Sequence, residues 1–315
     1  TSVIHNNSGK AEITVVNIQK FQDDPDVVRN TDYQLNIQRV YFLDEVHRSY
    51  NPKGSFLANL NESDPNAIKI GLTGTPLLGT DYNSKALFGG YIHKYYYNSS
   101  IADGYTLRLI REEIETNYKL TLKQALEEIE ILKGNADKKI VYAHPKFVEP
   151  MLDYIVQDFE KARISMNDNS IGGLVVCDSS DQAKMLFEIF ESKYAINKNV
   201  HSGLLQAAEP QESYGDKKKA ESKVTKAAVI LHDIGTKQDR KDQVEAFKDG
   251  HIDFLFVYNM LLTGFDAPRL KKLYIGRVIK AHNLLQTLTR VNRTYKDFRY
   301  GYVVDFADIQ KEFDK

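Results

Sequence analysis

The chain has 315 residues, 42% hydrophobic and 27% charged, and its 42 basic and 43 acidic side chains leave a net charge of −1. This composition excludes an overall disordered chain, and without a basic excess a polyanion must be gripped by a local patch rather than by a global field. No apolar run approaches the ~20 residues that span a bilayer and no charged-then-apolar leader opens the sequence, so a cytoplasmic location with no membrane partner is expected.

Short apolar runs rich in Val, Ile, Tyr and Phe, each followed by turn residues and a helical pattern, predict a parallel α/β arrangement. In chain order, strands are expected at 12–16 (EITVV), 39–43 (RVYFL) and 67–72 (AIKIGL). Residues 112–165 space apolar side chains three or four apart with charges between them, which predicts amphipathic helices forming a linker or insertion between two α/β lobes. Pro145 marks a turn there and Pro150 the first turn of the next helix. A second set of strands is expected at 172–177, 227–231, 252–257, 271–275 and 301–306. The lone cysteine, Cys177, lies in the apolar run GLVVC and reads as a buried structural thiol. Residues 206–228 are polar and read as an exposed loop, in which Lys217–Lys219 form a solvated surface before they form a phosphate contact.

The stretch YFLDEVHRSY, residues 41–50, runs from an apolar strand into Asp44 and Glu45. In open α/β sheets ligands bind beyond the carboxyl ends of strands, so the acidic pair falls on the functional rim. An aspartate there can hold Mg²⁺ and a neighbouring glutamate can deprotonate a water attacking a γ-phosphate. Taken alone, the pair reads as an acidic surface turn before it reads as a metal site, and His47 reads as a polar surface histidine. After the next expected strand comes GLTGTP, residues 71–76, where Thr73 and Thr75 offer hydrogen bonds within a tight turn. Further on, NMLLTGFDAPRL at 259–270 puts Thr263, Gly264 and Asp266 in another carboxyl-end loop. Then QTLTRVNR, residues 286–293, spaces Gln286, Arg290 and Arg293 so that a helix would carry all three on one face. Arginines so placed are a surface salt-bridge array or, with an acidic pair in the other lobe, a device that neutralises developing phosphate charge.

With these motifs in this order, the chain resembles the motor region of superfamily 2 helicases and translocases: DEVH is similar to the DExH box, TGTP to motif III, LLTGFDAP to motif V and QTLTRVNR to motif VI. The wording VVNIQKF, LDEVHRS, GLTGTPLL, MLLTGFDAP and QTLTRVNRTY resembles more closely the restriction (R) subunit of type I restriction-modification enzymes. The resemblance implies RecA-like parallel sheets flanked by helices, in two lobes of which the first is incomplete. Residues 1–100 would be the latter part of the first lobe, 101–165 a connecting strand with a helical linker or insertion, and 166–315 the second lobe. ATP and Mg²⁺ are the implied cofactors; double-stranded DNA and the modification (M) and specificity (S) subunits are the implied partners.

By the same resemblance Asp44 holds Mg²⁺, Glu45 is the catalytic base, and His47 couples nucleotide state to the second lobe. Thr73 and Thr75 link hydrolysis to DNA movement, and Gly264 and Asp266 contact nucleotide or ribose. Gln286, Arg290 and Arg293 complete the γ-phosphate site. GGLVVCDSSDQA is similar to motif IV, which makes Ser179 and Ser180 candidates for DNA backbone contact, and Thr263 opens motif V. Thr289 stands where the wider superfamily often has glycine, a departure that fits the R subunits. No G-x-x-x-x-G-K-[ST] phosphate loop occurs, since Ile4 and Ala11 spoil NNSGKAE, and the family's nuclease domain is absent. With Thr1 in place of an initiator methionine, the chain reads as an internal segment of a longer protein. Another superfamily 2 motor, such as a type III restriction or repair helicase, and a catalytically inactive DNA- or nucleotide-binding scaffold remain the alternatives.

Overall fold

Parallel pairing joins every strand of the described chain to its neighbours, as the recurrent apolar runs predict. The computed structural model describes residues 13, 15, 38–46, 55–76, 84–133, 138–195, 224–262, 264–279 and 281–306. The strand expected at 12–16, except Ile13 and Val15, lies outside the described residues, as do His47, Thr263 and Lys217–Lys219. The chain divides into two units, residues 1–95 and 96–315.

In the first unit β1 (Val40–Leu43) and β2 (Ile68–Gly71) pair in register from Val40 opposite Ile68 to Leu43 opposite Gly71. Helix α1 (Ser55–Ser63) connects them and α2 (Ser84–Phe88) follows. Leu43, Val46, Leu57 and Leu60 form a small core. Buried Asp64 ties its edge, accepting from the Tyr41 hydroxyl at 2.9 Å, with Arg39 at 3.7 Å.

The second unit is a six-stranded parallel sheet in the order β3-β8-β7-β4-β6-β5. Its strands are β3 (Arg108–Glu113), β4 (Gly172–Val176), β5 (Ala227–Ile230), β6 (Phe254–Val257), β7 (Leu270–Ile275) and β8 (Tyr300–Asp305). Alternation along them feeds two cores. Val175, Phe254, Phe256, Tyr274 and Val304 face one side, where α4 (Thr116–Lys133), α6 (Pro145–Met166) and α7 (Ser180–Lys193) pack. Leu174, Val176, Leu255, Leu273 and Val303 face the other, with Phe247 of α8 (Lys237–Lys248) and Leu284 and Leu288 of α9 (Ala281–Leu288). Strands buried on both faces read as unbroken apolar runs, which is why the sequence reveals them. Short helices α3 (Tyr97–Ala102) and α5 (Lys138–Tyr142) complete the unit. No helix among the described residues is long and apolar enough to cross a membrane.

Two local expectations change. The helical pattern read from residue 112 begins at Thr116, because Glu112 and Glu113 end the edge strand β3, where Arg111 pairs with Asp305 at 3.0 Å. Pro145 is the first residue of α6 behind the N-cap His144, whereas Pro150 lies inside the helix rather than in its first turn. An interior proline costs about 3 kcal/mol. The stripe Val148, Met151, Leu152, Ile155 and Phe159, each fully buried, offsets this at roughly 1.5–3 kcal/mol per side chain.

Candidate active site and its relatives

In the first unit the two sequence motifs become neighbouring turns. Leu72 N donates to Leu43 O at 2.8 Å and Val46 N to Leu72 O at 3.2 Å, so the segments after β1 and β2 are fastened side by side at the strands' carboxyl ends. Asp44 and Glu45 are exposed between the buried residues Leu43 and Val46. An Asp44 carboxylate oxygen accepts from Glu45 N at 2.9 Å, and Glu45 adopts φ 51°, a left-handed conformation that costs a non-glycine residue roughly 1–2 kcal/mol. Burial of Val46 in the small core forces this reversal and turns the acidic pair outward. In the adjoining turn the Thr73 hydroxyl accepts from Thr75 N at 3.1 Å. The structure thus brings Asp44, Glu45, Thr73 and Thr75 to one rim.

In the second unit the loop between β6 and β7 and the segment after α9 converge. β6 and β7 run parallel, so their connection must travel the length of the sheet. It leaves the carboxyl end of β6, but by Asp266 it has reached the amino end of β7. The expected carboxyl-end placement of Asp266 is therefore corrected. Exposed Gly264 has φ 69°, the backbone state that favours glycine.

The single helical face expected for Gln286, Arg290 and Arg293 also does not form, because α9 ends at Leu288. The helix closes with tightened bonds, Arg290 N to Thr287 O at 3.1 Å and Val291 N to Leu288 O at 3.3 Å. Beyond it Arg293 forms an antiparallel bridge with Thr106, and Leu107 N donates to Asn292 O at 2.7 Å. Strand-like pairing wins over helix continuation, helped by the β-branched Thr287, Thr289 and Val291. The arginines still converge on one loop. Arg290 donates to the Phe265 carbonyl and, at 3.0 Å, to the Gln286 carbonyl. Arg293 Nε lies 3.3 Å from the Asp266 carboxylate.

Ser179 and Ser180 stand beyond the carboxyl end of β4. Ser179 caps α7, its hydroxyl accepting from Gln182 N at 3.1 Å, and is buried, while Ser180 is half-buried. Cys177 just before them is fully buried, and burial pushes its thiol far above the ordinary range, as expected of a structural cysteine.

Sequence reasoning passed over Arg269, at the end of FDAPR. Its buried guanidinium donates to four backbone carbonyls, of Ser170, Phe247, Ile252 and Ile171, at 2.7, 2.6, 2.8 and 3.2 Å, and so fixes the end of the loop that carries Asp266. It also passed over Lys271 and Lys272, buried in β7. The only local signal was two lysines inside an otherwise apolar strand.

Residues 2–139 match the SWI2/SNF2 ATPase family and residues 169–308 the type I restriction enzyme subunit R domain 3 family. The type I restriction enzyme SauMRSORF196P endonuclease subunit of Staphylococcus aureus (strain MRSA252) is 26% identical over 300 residues, 87% of this chain and 31% of the relative. The HindI endonuclease subunit of Haemophilus influenzae is 26% identical over 297 residues, 87% of this chain and 27% of the relative. The chain therefore spans less than a third of these relatives. A fragment described as an HsdR subunit of a type I restriction enzyme from Vibrio vulnificus YJ016 shares the fold, with a TM-score of 0.51 and 17% identity over 87% of this chain and 44% of that one. The chain thus carries a region similar to the SWI2/SNF2 ATPases followed by one similar to R-subunit domain 3, and over both it is similar to the type I restriction enzyme R subunits.

Proposed function

We propose that the chain is the motor segment of a type I restriction R subunit, coupling ATP hydrolysis to translocation of double-stranded DNA, with cleavage performed by a nuclease domain outside this chain. The observation that carries this reading is the pair of fastened turns in the first unit, which presents Asp44 and Glu45 beside Thr73 and Thr75 within the region similar to SWI2/SNF2 ATPases.

The donor set fits Mg²⁺ with a nucleotide. Mg²⁺ is bound by one or two carboxylates plus substrate phosphates rather than by an all-protein cage. Asp44 offers an exposed carboxylate, and no cluster of three or more His, Cys, Asp or Glu ligands occurs among the described residues. Asp44 would hold the ion, which supplies charge neutralisation at the phosphates. Glu45 accepts the proton of the attacking water, Arg290 and Arg293 neutralise charge on the γ-phosphate, and Gln286 completes that site. Gly264 and Asp266 contact the nucleotide, and His47, Thr73 and Thr75 couple its state to DNA movement. Ser179, Ser180 and Thr263 meet the DNA backbone, which positions without reading sequence. Specificity comes from M and S subunits, and the assembly works in the cytoplasm.

Glu45→Gln in the complete polypeptide abolishes DNA-stimulated ATP turnover and leaves nucleotide binding intact. Turnover within a few fold of the parent removes Glu45 from this role. Lacking a phosphate loop of its own, the 315-residue chain alone hydrolyses ATP poorly or not at all.

A further inference from the structure

Lys271 and Lys272 both lie inside β7, with 0% and 1% exposure, and point to opposite faces of the sheet. Lys272 has counter-charges, since its ammonium pairs with Glu112 and, at 2.8 Å, with Asp158. Lys271 has none among the described residues. Its ammonium donates to the Arg293 carbonyl at 2.5 Å and stands 5.7 Å from the Tyr295 ring centroid. Burial pushes its pKa down to about 8. A buried cation without a carboxylate partner is costly, and an apolar side chain of similar length would fill the same space without that cost.

We propose that Lys271 is a positioning residue for Arg293, holding the main chain of residues 292–293 so that the arginine guanidinium is presented where Asp266 meets it. The main chain at these two residues is held from two sides. Leu107 N binds Asn292 O at 2.7 Å and Thr106 bridges Arg293, both from the segment entering β3. Lys271 takes the Arg293 carbonyl from β7, the central strand that also follows directly on the Asp266 loop. Lys271 therefore fixes the Arg293 backbone to the same strand entry that fixes Asp266. Without this donor the part-buried Arg293 carbonyl loses its partner, and the arginine loses one of its two attachments to the sheet. The inference rests on the functional reading above, in which Arg293 acts on the nucleotide.

The test measures DNA-stimulated ATP hydrolysis and thermal melting of the complete polypeptide for the parent, Glu45→Gln, Arg293→Ala, Lys271→Met, Lys271→Arg and the double variant Lys271→Met with Arg293→Ala. Lys271→Met is expected to lower kcat about tenfold with KM within about twofold and with melting unchanged or raised. Lys271→Arg restores most of the rate. In the Arg293→Ala background Lys271→Met adds no further loss, because the two side chains act as one unit. A kcat for Lys271→Met within about twofold of the parent, or losses that multiply in the double variant, overturns the proposal. So does a fall in melting that accounts for the lost rate, which makes Lys271 purely structural. Full turnover by Glu45→Gln instead overturns the functional reading, and this inference falls with it.

Discussion

Arg293 and Asp266 face each other at 3.3 Å with side chains 44% and 65% exposed. An ion pair so open to water contributes about 1 kcal/mol at most, and its long side chains lose entropy on pairing. Its effect is to direct the guanidinium rather than to hold the fold. Asp266→Asn is therefore expected to leave the denaturation midpoint nearly unchanged while lowering DNA-stimulated ATP turnover of the complete polypeptide about tenfold. Equal turnover in parent and variant would remove Asp266 from the site.

Gly301, in β8, lies directly beneath the arginine segment. A Cβ there would stand 2.1 Å from the Val291 carbonyl oxygen and 2.8 Å from its carbonyl carbon, and backbone cannot swing aside as a side chain can. Gly301→Ala is expected to cost about 3 kcal/mol and to displace residues 290–293, so that both stability and ATP turnover fall. Gly173→Ala is the control. Its Cβ would meet the Phe254 ring at 2.5 Å, in the core and away from the arginines. Under conditions where both variants are folded, only Gly301→Ala should reduce kcat. Normal turnover in folded Gly301→Ala would show that the close approach does not set the arginines.

How far the sequence carries can be seen at these same elements. β4 and β6 are legible because burial on both faces leaves apolar runs. The Asp44–Glu45 rim is legible because a polar turn after an apolar strand needs no distant partner to define it. β3 is harder to find: as an edge strand it carries Arg108, Arg111, Glu112 and Glu113, and its charges merge with the helical pattern that follows. The helix expected through Arg293 fails because Thr106 and Leu107, far away in sequence, capture the backbone of residues 292–293. Arg269 and Lys271 are invisible for the same reason. Burial of a charged side chain is decided by carbonyls that only the folded chain assembles.

Asp168 gives a pH-dependent consequence of that assembly. Its carboxylate accepts from Ser170 N at 2.7 Å, from the Ser170 hydroxyl at 2.6 Å and from Lys296 Nζ at 2.6 Å. Burial pushes the carboxyl up, but the bonds from Lys296 and Ser170 together outweigh it and hold the group below the usual aspartate range. A carboxyl depressed in the folded state binds fewer protons there than in the unfolded chain. Its stabilisation is therefore fully present above the unfolded value of about 3.9 and is lost as pH falls through the lower folded value. Denaturation midpoints measured from pH 7 down to pH 3 should drop less steeply in Asp168→Asn than in the parent. At pH 7 the variant should be the less stable of the two, since the asparagine keeps the shape but not the charge that Lys296 pairs with. Parallel pH profiles for the two proteins would mean that the Asp168–Lys296 contact adds nothing to the fold beneath the arginine segment.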